Sequence, residues 1–94
     1  MIRLVTKYAD DMARELEAND FKSGWWNLSP RQCLQRAEQE LAELRRALEK
    51  EESFERIRSE AADVGNFLAM LVWVTCKQRH REAQAANDLQ DGEP

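Results

Sequence analysis

The chain has 94 residues, 43% of them hydrophobic, with three Trp, three Phe and a net charge of −4. This is one small globular domain with a marginal core, since a chain of this size buries roughly 60–65% of its extended surface. The composition excludes disorder over the whole length, and the acidic balance excludes a binder of nucleic-acid polymers.

A first helix is expected from about Ile2 to Ala18, with Val5, Tyr8, Met12 and Leu16 at spacings of three and four. The N-terminus lacks a signal-peptide core. The stretch "ANDFKSGWWNLSP" breaks the pattern and reads as a loop. Ser29 then N-caps a second helix, with Pro30 at its first position, Gln32 completing a capping box, and Leu28 and Cys33 as a hydrophobic staple. Leu34, Ala37, Leu41, Leu44 and Leu48 form a heptad-like seam to about Lys50. "EES" is a short connection, and Ser53 caps a third helix starting near Phe54.

The third helix has the seam Ile57, Ala61, Val64, Leu68, Leu71 and Thr75, and turns apolar on nearly all sides at Phe67–Cys76. That run is ten residues, short of the about 20 needed to span a bilayer. A helix apolar all round is buried all round, and this chain is too short to wrap it. Part of Phe67, Met70, Trp73 and Val74 is therefore expected to pack on another subunit. Residues 1–83 form the single domain, and 84–94 read as a polar, flexible tail. Cys33 and Cys76 read as buried free thiols, consistent with a reducing cytoplasm, and His80 as a solvated helix residue. The expected fold class is all-α: a helical bundle with an antiparallel helix pair, completed by oligomerisation.

Two acidic phrases sit on the second and third helices, Glu40-x-x-Glu43 and Glu60-x-x-Asp63. A three-residue connection makes these helices antiparallel neighbours. A turn centred between Glu51 and Glu52 sets Glu40 level with Asp63 and Glu43 level with Glu60. At about 100° per residue, Glu40 and Glu43 lie about 80° and 140° to one side of the Leu41/Leu44 seam. Glu60 and Asp63 lie about 60° and 120° from theirs, in the same rotational sense. Equal sense in an antiparallel pair means one flank. Four carboxylates so placed raise one another's pKa unless a cation neutralises them. All-oxygen ligation without His or Cys selects a hard ion, Mg²⁺ first and Mn²⁺ second. The competing account is solvated surface charge, with ion pairs such as Glu43 with Arg46 worth about 0–1 kcal/mol.

E-x-x-E, then 16 residues, then E-x-x-D is similar to the signature of the MazG-like nucleotide pyrophosphohydrolases, of the all-α NTP pyrophosphatase superfamily. "EANDFKSGWWNLSPRQCLQRAEQELAEL" resembles the K-G-G-W loop and following helix of small, often phage-encoded members, and "IRSEAADVGNFLAML" resembles their E-A-A-D-V-x-N-F segment. The resemblance covers about Leu16 to Leu71, and the loop departs from it in reading "KSGWW". It implies a bundle completed as a homodimer or homotetramer, with Glu40, Glu43, Glu60 and Asp63 as Mg²⁺ ligands. The implied reaction cuts a nucleoside triphosphate between α- and β-phosphates, giving a monophosphate and pyrophosphate. Glu40 or Glu43 is the candidate to orient or deprotonate water. Lys22 offers a positive charge for phosphate. Trp25 or Trp26 offers a face for a base, and Asn66 a donor and an acceptor for a base or sugar edge. The alternative is a non-catalytic helical module that binds a nucleotide or a partner.

Overall fold

The computed structural model describes residues 1–18 and 27–91. Lys22, Trp25 and Trp26 lie outside the described residues. The architecture is all-α, with no strand among the described residues: α1 spans Ile2–Ala18, α2 Pro30–Glu49 and α3 Phe54–Asp91. No described helix is long and apolar enough to cross a membrane.

The helix ends follow the local chemistry of the chain. Ser29 and Gln32 close a reciprocal capping box, with Gln32 N–H donating to Ser29 Oγ at 3.1 Å and Ser29 N–H donating to Gln32 Oε1 at 2.8 Å. Leu28 packs into the same apolar cluster as Cys33, as a staple requires. At the far end of α2, Glu52 N–H donates to the Ala47 carbonyl at 3.0 Å and Glu51 N–H to the Leu48 carbonyl at 3.1 Å. This is a Schellman closure, and it holds Glu51 at φ 51° in the left-handed position glycine usually takes. Ser53 Oγ then accepts from Arg56 N–H at 3.2 Å and starts α3. α3 runs 38 residues, beyond the patterned stretch and through Asp91. Its outer part is built of good helix formers such as Glu82, Ala83, Gln84, Ala85 and Ala86, which keep a helix without a core.

α2 and α3 form the main contact, as an antiparallel hairpin, and α1 packs on α3. The α2–α3 seam is rotated from the leucine pattern. On α2 the buried positions are Cys33, Ala37 and Ala47, while Leu34, Leu41 and Leu48 are about half exposed at 44%, 51% and 56%. On α3, Met70 and Val74 are buried within the chain against Cys33, with Phe67 and Leu71 packed beside them. Leu68, Val72 and Trp73 remain exposed. Small side chains at Cys33, Ala37 and Ala47 let the helices approach closely, and the bulkier leucines are turned aside. This corrects two expectations: Cys33 of α2, with Leu28 and with Leu16 of α1, covers Met70 and Val74 within one chain, and Cys76, on the other side of α3, is exposed.

The contact of α1 with α3 combines apolar packing by Leu16 and Met12 with a set of polar contacts. Tyr8 Oη–H donates to the Ala61 carbonyl, and Asn66 Nδ2 donates to the Met12 carbonyl at 3.0 Å. Asp11 is buried and faces Arg58 at 3.6 Å and Arg14 at 3.7 Å. Gly65 makes room for this docking, since a Cβ there would sit 2.5 Å from Tyr8 Oη and 2.9 Å from Met12 Sδ.

Candidate metal centre

The rotated seam carries the acids inward. Once Cys33, Ala37, Leu44 and Ala47 define the inner face of α2, Glu40 falls within it rather than on its edge. Glu60 falls within the inner face of α3 in the same way, one turn before Val64 and two turns before Phe67. Glu60 is 4% exposed, Glu40 and Asp63 are half-buried, and Glu43 is exposed at the rim. Carboxylate oxygens of Glu40, Glu60 and Asp63 lie within 4.8 Å of one another. Glu43 adds its charge to all three and sits within hydrogen-bond reach of Glu40 and Glu60 whenever a proton is shared. The expected levels, Glu40 with Asp63 and Glu43 with Glu60, agree with this convergence.

The electrostatics are those of crowded, partly dehydrated anions. Burial, then the charges of Glu43, Asp63 and Glu60, push the Glu40 carboxyl up to about 7. Burial, then Glu15, Glu60 and Glu43, push Asp63 up to about 6, against the pull of Arg56. Burial raises Glu60 as well; Arg56 opposes the rise and Glu43 adds to it. Arg56 is one turn earlier on α3, with Nη2 2.8 Å from Glu60 Oε1 and Nε 3.6 Å from Glu52 Oε2. It compensates one oxygen of Glu60. The other, Oε2, is buried with no hydrogen-bond partner among the described residues.

That orphan oxygen tests the fit of a cation. A buried carboxylate oxygen facing other carboxylates is costly, and the donor set is wholly oxygen. Oxygens bound to Mg²⁺ at about 2.0–2.1 Å sit at most about 4 Å apart, so a group already within 4.8 Å closes on the ion with small side-chain movements. The residues fit a hard divalent ion.

Two participants were not foreseen from sequence. Glu15, from α1, acts on Asp63 as a fifth acid. Its signal was an acid beside the face marked by Tyr8, Met12 and Leu16. Arg56 is the second, signalled by its spacing of one turn from Glu60. Asn66 is buried, its amide nitrogen committed to α1 and its Oδ1 without a partner among the described residues. It continues the Glu60–Asp63 strip along α3, but on the side that docks α1. No protein-family model, curated protein or solved structure matches the chain.

Proposed function

We propose that the protein is a Mg²⁺-dependent nucleoside triphosphate pyrophosphohydrolase of the MazG-like kind, cleaving between α- and β-phosphates to give a monophosphate and pyrophosphate. The observation that carries this reading is the meeting of acids from two helices at a partly buried point, with Glu60 Oε2 buried and unpartnered among the described residues. Glu40, Glu60 and Asp63 are the residues to hold Mg²⁺, with Mn²⁺ as the second choice. When bound, the cation supplies positive charge for phosphate oxygens and makes nearby water more acidic. Glu43 stands at the exposed rim, outside the tightest group of oxygens, and is the carboxylate free to orient water and accept its proton. The water oxygen attacks the α-phosphorus and stays on the monophosphate, its proton passing to Glu43, while the bond from the α-phosphorus to the α–β bridging oxygen breaks and pyrophosphate leaves with the bridging oxygen. Lys22, Trp25 and Trp26 keep their proposed part in substrate binding, whereas Asn66, buried with its amide nitrogen on the Met12 carbonyl, serves the docking of α1 in this reading. The test is pyrophosphate release from a panel of nucleoside triphosphates, with Mg²⁺ and with a chelator. No release from any member, together with no Mg²⁺-induced rise in melting temperature, would sink the reading.

The working form in this reading is a homodimer or homotetramer. Leu34, Leu41 and Leu48 recur every seven residues and so share one line of α2. Phe54, Leu68 and Val72 lie on the corresponding flank of α3, all exposed and all turned away from Glu43. Light scattering checks this, and a stable monomer of 11.0 kDa at micromolar concentration would exclude it.

A further inference from the structure

Toward the closed end of the hairpin, the acid layer gives way to a basic one. A cavity of about 240 Å³ opens there, lined by Glu43, Arg46, Ala47, Lys50, Glu52 and Arg56. Glu43 belongs to both the cavity and the acid cluster, so the two are continuous. Arg46 and Lys50 follow Glu43 by three and seven residues and lie on the same face of α2. Arg56 faces them from α3. Ala47 keeps the floor low.

The pairing of these cations is uneven. Arg56 is engaged with Glu52 and Glu60, whereas neither Arg46 nor Lys50 forms an ion pair among the described residues. Three cations line the cavity against the two carboxylates of Glu43 and Glu52, which leaves an excess of positive charge, and phosphate oxygens are strong acceptors for guanidinium and ammonium groups. The volume is below the roughly 300–1,000 Å³ of sites for drug-sized ligands. It suits a small anion.

We propose that this cavity is the subsite for the terminal phosphates of the substrate, with Arg46 and Lys50 as its binding residues; the proposal rests on reading the acid cluster as a metal centre. It gives the substrate a direction. The phosphate that reacts lies beside the acids, the pyrophosphate portion extends toward the Glu51–Ser53 turn, and the nucleoside lies toward the Cys33 end of α2. Arg56 joins the two layers, since it already holds Glu60 and lines the cavity.

A competing role for Arg46 and Lys50 is to complement the C-terminal dipole of α2, worth about 0.3–1 kcal/mol. That role affects melting and leaves anion binding unchanged. The experiment is titration calorimetry of inorganic pyrophosphate and of a nucleoside monophosphate against the whole chain in Mg²⁺, comparing wild type, Arg46→Ala/Lys50→Ala and the charge-keeping Arg46→Lys/Lys50→Arg. Loss of two charge-assisted contacts is expected to weaken pyrophosphate binding at least about tenfold. The charge-keeping variant restores most of it, while monophosphate affinity and the Mg²⁺-induced melting shift stay at wild-type values. Unchanged pyrophosphate affinity in the alanine variant, with the Mg²⁺ shift intact, overturns the subsite and leaves the metal centre standing. Absence of a Mg²⁺ shift in the wild type overturns the metal centre and the subsite with it.

Discussion

The two flanks of the α2–α3 hairpin break the usual rule of burial in opposite ways. On one, carboxylates that water would solvate well are drawn into the seam, down to 4% exposure at Glu60. On the other, leucines that a core would accept are left about half in water at Leu34, Leu41 and Leu48. Neither arrangement favours an isolated chain. Buried like charges cost free energy, and exposed leucines forgo about 25 cal/mol for each Å² of apolar area that could be covered. In the proposed reading each flank is completed by something added, a cation on the acid side and a second copy on the leucine side. The two deviations lie on different flanks of one hairpin, and in the proposed reading they call for two different additions.

The largest effect is expected from breaking the acid flank. Glu40→Gln, Glu60→Gln and Asp63→Asn should each lower Mg²⁺-dependent pyrophosphate release by more than about 100-fold, since even outer-shell partners of a metal are worth about 10–100-fold. Glu43→Gln should lower turnover as strongly while keeping the Mg²⁺-induced melting shift, because it acts on water. Glu49→Gln and Glu82→Gln, both exposed and remote from the cluster, are the controls. Retention of the shift by Asp63→Asn would separate that residue from the cation.

Breaking the leucine flank should alter assembly. Leu41→Glu is expected to yield an 11.0 kDa species by light scattering, with helix content by circular dichroism unchanged. Position 41 is 51% exposed within one chain, so a charge there costs the single chain little. An assembled Leu41→Glu protein would clear this flank of the role.

A pH series sharpens the contrast, because only the acid flank titrates. Folded Glu40 and Asp63 hold their protons up to about 7 and about 6. A fold that binds protons more tightly than the unfolded chain is stabilised by them at low pH and loses that gain as pH rises through the folded values. The melting temperature of the metal-free protein should fall between about pH 4.5 and pH 7, and Mg²⁺ should restore it above pH 7. Glu40→Gln should flatten the fall. A wild-type curve no steeper than that of Glu40→Gln would show that the carboxylates do not crowd one another.

The smallest expected effect lies at the turn that sets the register of both flanks. Glu51 occupies a left-handed conformation that costs a non-glycine residue about 1 kcal/mol. Glu51→Gly should raise the melting temperature by about 4–8 °C while leaving Mg²⁺ binding unaltered. A lower melting temperature would mean that the Glu51 side chain contributes more than its backbone costs.

Helix starts and the level of the acids were legible in sequence because both depend on local chemistry. Ser29 with Gln32, Ser53, and the short connection after Lys50 act within a turn or two of chain. The facing of the helices was not legible, because leucine outweighs alanine and cysteine in any reading of apolar periodicity. The close approach at Ala37 and Ala47 instead gives the seam to small residues, and it brings Glu40 inward with them. Glu15 and Arg58 take their meaning from the docking of α1, which depends on contacts across more than forty residues of chain, such as Arg58 with Asp11. Asn66 read as an open strip position for the same reason, since nothing near it in sequence announces Met12.

The two sulfurs, finally, divide the molecule chemically. Cys33 is 0% exposed, between Met70 and Val74, and its burial raises the thiol's pKa, so it is both shielded and less often a thiolate. Cys76 is on the surface of the same hairpin. A maleimide or aromatic disulfide therefore meets one fast site and one that reacts only when α2 lifts from α3. The slow rate reports how often the hairpin opens when labelling outpaces reclosing, and the open fraction when it does not, with no substitution needed in the protein.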